Sequence, residues 1–105
     1  MKITNAFSFG MLATFPTSMK VTALTADEVR TRLKAGVVES AVGHADTAAL
    51  FSTILGMAIP MNRVSLSLVP GDEIIVGQYT GPRLPEGATT LPEGAAIRWL
   101  HVVTS

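Results

Sequence analysis

The chain contains no cysteine, which excludes disulfides and thiolate metal sites while leaving the compartment open. Charge is scarce and balanced: Lys and Arg total 8, Asp and Glu total 8, and charged residues make up 15% of the 105. A zero formal net charge leaves no broad basic face for duplex nucleic acid, so no DNA partner is expected. Any phosphate must then be held by a few placed side chains and backbone N–H groups. No apolar run approaches the roughly eighteen residues of a membrane span, and Met1-Lys2-Ile3-Thr4-Asn5 has no apolar core of signal-peptide length. The default expectation is a cytoplasmic protein without a membrane partner. Histidine is also sparse, and His44 and His101 lie far apart, so no metal site is recognisable and no cofactor is expected.

What is present is apolar substance. A hydrophobic content of 48% in 105 residues describes one domain, residues 1–105, with a substantial core. In the stretch 45–55, Ala48, Phe51, Ile54 and Leu55 recur at three- and four-residue spacing, which predicts a helix closed by Gly56, with Asp46 complementing its positive end. Thr25-Ala26-Asp27-Glu28 is a capping box that starts another helix; Val29 and Leu33 face the core, Arg30, Arg32 and Lys34 are solvated, and Gly36 is the stop. Strands are expected over Lys2–Phe7, Ser18–Ala23 (half-buried through Met19, Val21 and Ala23), Val37–Val42 and Ala96–Val103. The alternation Val64-Ser65-Leu66-Ser67-Leu68-Val69, the turn Pro70-Gly71-Asp72 and the run Glu73–Tyr79 predict an antiparallel hairpin.

Gly43-His44 is the point of greatest chemical interest. A strand that runs through a glycine into a helix puts ligands at the carboxyl end of a sheet, and the unpaired N–H groups of the first helical turn form an anion-binding corner. The plainer alternative is that His44 is a capping or half-buried residue. Arg63 is either a solvated charge or a phosphate ligand. The stretch Thr80–Gly87 carries two prolines and two glycines in eight residues, which forbids regular structure and marks a binding loop or a merely solubilising turn. Leu91-Pro92-Glu93-Gly94 repeats Leu84-Pro85-Glu86-Gly87. His101, in the final strand with Trp99, reads as packing or surface.

Taken in order, Asn5-Ala6-Phe7-Ser8 with Met11-Leu12, Ser40-Ala41-Val42-Gly43-His44 with Thr47, Asn62-Arg63, and Arg83-Leu84-Pro85-Glu86-Gly87 resemble the viral ring nuclease family of type III anti-CRISPR proteins. The resemblance spans residues 3–87. It implies a cytoplasmic homodimer in a prokaryotic cell, native or infected host, that binds cyclic tetra-adenylate across its interface and cleaves it without metal. With the elements read above, it implies an α/β fold: a small single domain whose mixed sheet of about five to six strands is flanked by two main helices. His44 and Glu86 fall on the family's catalytic histidine and glutamate, and Asn5, Ser8, Gly43, Arg63 and Arg83 on its ligand site. The chain departs from the family at Gly81-Pro82 and Pro85, which stiffen the loop, and in having the Leu91–Gly94 turn where a helix often follows.

The chemistry implied can be written from first principles. Metal-free cleavage of a ribonucleotide ring uses the neighbouring 2′-hydroxyl as nucleophile, with a base for that hydroxyl and an acid for the departing 5′-oxygen, each contributing about 10²- to 10⁴-fold. Glu86 suits the base and His44 the acid, with the helix N-terminus and Arg63 or Arg83 as electrostatic clamp. The acid role presupposes a bound phosphate, because a helix N-terminus disfavours imidazolium. A non-catalytic module that sequesters a cyclic oligonucleotide, and a structural or protein-interaction domain, remain as alternatives at this stage.

Overall fold

The computed structural model describes residues 1–88 and 90–105. Five strands, β1 (Lys2–Thr4), β2 (Met19–Leu24), β3 (Glu39–Ala41), β4 (Glu73–Thr80) and β5 (Ala96–Thr104), form one sheet in the order β2-β5-β4-β1-β3. β1 pairs in parallel with both β3 and β4, whereas β5 is antiparallel to β4 and to β2. The sheet is therefore mixed, as expected, and two helices, α1 (Ala26–Lys34) and α2 (Ala45–Leu55), accompany it.

Both helices pack on one face of the sheet. Val29 and Leu33 of α1 and Ala48, Phe51 and Leu55 of α2 share one buried cluster with Ile3, Ile75 and Trp99 of the strands. The capping box at Thr25 is formed in both directions: the Glu28 N–H donates to Thr25 Oγ1 at 3.1 Å and the Thr25 N–H to Glu28 Oε1 at 3.0 Å. Those bonds to Thr25 hold the Glu28 carboxyl below its ordinary range. Gly56 closes α2 in the left-handed conformation, φ 64°. Arg30 corrects the expectation of a solvated side chain. Its guanidinium donates to the carbonyls of Ile54 and Leu55, at 3.0 and 2.8 Å, and pairs with Asp27. It thereby satisfies carbonyls at the end of α2 that have no partner inside the helix.

The centre of this layer is a notch. A Cβ at Gly77 would lie 2.5 Å from Trp99 and 2.6 Å from Phe51, and the two aromatic rings meet with centroids 4.8 Å apart. Only a residue without a side chain lets both rings reach the sheet here.

Four expectations need correction. The Val64–Val69 alternation is not a strand: Leu68 alone of that run forms a bridge, with Leu12, and the hairpin with Glu73–Tyr79 does not exist. The reason is topological, since β1 and β5 occupy both edges of β4 and leave no ladder to join. Residues 61–70 instead bring Leu68 onto the second face of the sheet, where it is buried with Leu12, Ile74, Val76 and Val102. The Ser18–Ala23 strand forms but is an edge strand, with Val21 53% exposed. The first strand ends at Thr4, before Asn5, and the third covers only Glu39–Ala41. Pro70-Gly71-Asp72 does turn the chain, closed by the Asp72 N–H on the Val69 carbonyl at 3.0 Å. No helix among the described residues is long and apolar enough to cross a membrane.

Gly77→Ala is expected to destabilise the protein by about 1–3 kcal/mol through overpacking, read as a lower denaturant midpoint. Arg30→Ala is expected to cost about 1–2 kcal/mol, because it removes charged hydrogen bonds to two helix-end carbonyls; an unchanged midpoint would show that water replaces them.

Candidate functional site

Three parallel strands, β3, β1 and β4, end on the same edge of the sheet, and the chain leaving each carries candidate residues. After β1 comes Asn5, after β3 Gly43 and His44, after β4 the loop with Arg83 and Glu86. Residues separated by up to 81 positions in sequence thus meet at the carboxyl ends of strands, where open α/β sheets bind ligands.

The Gly43 peptide is a hub. Its N–H donates to Asn5 Oδ1 at 3.2 Å, and its carbonyl accepts from Arg63 Nε and a terminal nitrogen at 3.2 and 3.0 Å. Gly43 is conformationally ordinary. It has no positive φ, a Cβ there would find only Arg63 at an ordinary 3.9 Å, and its N–H is already taken. Open N–H groups belong instead to the first turn of α2, which lacks preceding helical carbonyls.

Asn62 holds Arg63 in place. The Asn62 amide nitrogen donates to the Ser40 carbonyl at 2.8 Å, its backbone N–H to the Val42 carbonyl at 2.8 Å, and the Ser40 hydroxyl to the Pro60 carbonyl at 2.6 Å. Asn62 and Ser40 appear in the sequence only as letters of a family motif. Their function as ties between β3 and residues 60–63 needs the tertiary contacts to be seen.

His44 is the N-cap residue of α2, with extended backbone, and its carbonyl accepts from the Ala48 N–H at 3.0 Å. Its imidazole makes no capping bond and is exposed. The capping alternative therefore holds for the backbone and leaves the ring available for chemistry. His44 lines a cleft with Asp46, Thr47, Tyr79, Gly81, Arg83 and Leu84. An adjoining cleft, sharing Asp46, Arg83 and Leu84, is completed by Ala45, Pro85 and Glu86. Arg83 and Glu86 are exposed and take part in no ion pair among the described residues.

The two Leu-Pro-Glu-Gly copies form the same turn. In each, the alanine after the glycine donates to the proline carbonyl, Ala88 to Pro85 at 3.1 Å and Ala95 to Pro92 at 3.0 Å. Gly87 and Gly94 take φ 75° and 79°, the third position of a type II turn. Local conformation is thus shared while surroundings differ, since only the first copy lines the cleft. The second stands where the resemblance anticipated a missing helix, directly before β5.

Asn5 also borders a separate groove on the sheet face away from the helices, with Phe7, Val21, Val76, Gln78, Tyr79 and Leu100 among its walls. Tyr79 touches both this groove and the His44 cleft, and its hydroxyl donates to the Pro82 carbonyl at the loop's root. Ser8 is exposed before a short 3-10 turn and lines none of these clefts. His101 is buried in the sheet, with Nε2 2.8 Å from Glu73 Oε2, remote in register from the strand ends that carry the site. Among the described residues, no three His, Asp or Glu side chains gather into a metal-binding group.

A family model described as STIV B116-like matches residues 1–96. Among solved structures the chain is similar to B116 of Sulfolobus turreted icosahedral virus (STIV), at 30% identity over 97% of each chain with a TM-score of 0.80. A comparison with curated proteins finds no match. The structural match covers 97% of the chain and the family model spans all the candidate residues, so the chain belongs to the STIV B116-like family, a viral protein family.

Proposed function

We propose that the protein is a metal-independent ring nuclease that opens cyclic tetra-adenylate and thereby acts as an anti-CRISPR protein, silencing type III CRISPR signalling in the cytoplasm of a prokaryotic cell. The observation that carries this reading is the convergence at one sheet edge of an exposed imidazole on a helix N-cap, two arginines and an exposed glutamate. In the proposed step Glu86 takes the proton of a ribose 2′-hydroxyl, whose oxygen bonds to the adjacent phosphorus. The bond from phosphorus to the 5′-oxygen breaks, and His44 delivers a proton to that oxygen. The products are short linear adenylates ending in 2′,3′-cyclic phosphate. Arg83, shared by both clefts, and the first-turn N–H groups of α2 would hold the charge that grows on the phosphorane oxygens.

The alternative, a module that sequesters the ring without cutting it, would use the same arginines and helix end but would not depend on Glu86 and His44 together. The twin turns separate the two readings. Glu86→Gln is expected to slow cleavage of cyclic tetra-adenylate by about 10²-fold or more with affinity little changed, whereas Glu93→Gln, in an identical turn outside the cleft, leaves the rate alone. His44→Ala should match Glu86→Gln, and EDTA should leave the wild-type rate unaffected. Equal rates for the two glutamate variants would favour sequestration.

The working unit in this reading is a twofold homodimer, since a ring of repeated adenylates matches two copies of each group. The apolar side of β2 and β5, with Val21 exposed and Leu100 half-buried beside Phe7, is uncovered in a single chain and offers the surface for a second copy. Val21→Glu is expected to convert the dimer to a folded monomer in sedimentation velocity and to reduce cleavage at least tenfold, the loss expected when half of a shared site is removed. A wild-type monomer that cleaves at full rate would sink the dimeric part of the proposal.

A further inference from the structure

The loop that carries Glu86 is firm at its root and lightly held at its tip. At the root, Gly81 lies so close to the second turn that a Cβ there would meet Ala95 Cα at 2.7 Å, and the Tyr79 hydroxyl holds the Pro82 carbonyl. At the tip, the hydrogen bond from the turn to α2 runs from the Gly87 N–H to Asp46 Oδ1, at a long 3.5 Å. Asp46 is the second residue of α2, two positions after His44, and it lines both clefts. Gly87 directly follows Glu86. The twin turn has no such tether among the described hydrogen bonds, so the bond to Asp46 is a contact that the first copy makes and its twin does not.

We infer that Asp46 is a positioning residue, whose carboxylate holds the Gly87 N–H and so keeps the Glu86-bearing turn at a fixed offset from the helix end that carries His44. The inference rests on the ring-nuclease reading for its consequence in catalysis, but not for the tether itself. A helix is rigid over one turn, so a residue fastened at its second position keeps a constant offset from the N-cap. Freeing the tip lets Glu86 wander from the reacting hydroxyl, and misplacement of about 1 Å is enough to cost as much as 10²-fold in rate. Because the bond is long, the effect should fall short of that ceiling.

Two variants and two readouts test it. Asp46→Ala removes the acceptor, whereas Asp46→Asn keeps an oxygen at the same place and loses only the charge. The first readout needs no nucleotide: trypsin cuts after Arg83, at the base of the tethered turn, at a rate that follows how often the loop opens. The full-length Asp46→Ala protein, folded by circular dichroism, should be cut about fivefold faster than wild type, with Asp46→Asn close to wild type. The second is single-turnover cleavage of cyclic tetra-adenylate, where Asp46→Ala should lower the maximal rate about tenfold at unchanged half-saturation and Asp46→Asn should restore most of it. Wild-type trypsin rates in Asp46→Ala, or no rescue by Asn in either readout, would overturn the inference. If the trypsin pattern holds while the wild-type protein cleaves no ring, the tether stands and the ring-nuclease reading falls.

Discussion

The contact of Phe51 with Trp99 over Gly77 is the constraint on which the rest of the structure depends. Phe51 is fully buried, and the glycine is the one residue that leaves room for both rings against the sheet. It fixes α2 against β4 and β5 at a single depth. Because an α-helix rises 1.5 Å per residue, this anchor sits about 10 Å from His44 along a rigid rod. The orientation of the imidazole-bearing N-terminus is therefore set from the core outward, with Arg30 closing the opposite end of the same helix.

The second requirement is that the chain on either side of that N-terminus stays in register with it. The Gly43 peptide meets this by giving its N–H to Asn5 and its carbonyl to Arg63, so that segments following β1 and preceding β4 are tied to the β3–α2 junction. Arg63 in this arrangement spends donor capacity on the backbone, whereas Arg83 has no ion-pair partner among the described residues. The division suggests a physical ordering of duties within the proposed mechanism: Arg63 organises the corner, and Arg83 is free to meet the phosphate.

Much of the local structure was legible because it depends on neighbours in sequence. The capping box at Thr25, the glycine closure of α2 and the buried stripe of Ala48, Phe51 and Leu55 follow from spacing alone. The type II turns at Glu86 and Glu93 obey the same rule, since proline and glycine at fixed offsets specify them wherever they stand. Where the reading failed, the cause was competition between distant segments. Val64–Val69 alternates as a strand should, yet β4 had already given both its edges to β1 and β5. Val21 reads as half-buried, yet β2 lies at the edge of the sheet and its apolar side lacks a cover within the chain.

The candidate site divides along the same line. The sequence by itself determined which groups are available: an imidazole at the head of a helix, arginines at 63 and 83, a glutamate in a turn built on proline and glycine, and few charges in equal numbers of each sign. Tertiary structure alone decided which of them meet. Parallel pairing of β1 with β3 and β4 brings residues 5, 43 and 83–87 to one edge, hydrogen bonds from Asn62 and Arg63 add residue 63, and the bond to Asp46 ties one Leu-Pro-Glu-Gly turn to α2 with no counterpart at its twin among the described hydrogen bonds. The physical reason is that backbone conformation is a property of a few adjacent residues, whereas the surroundings of a side chain are assembled by strand pairing and core packing across the whole chain.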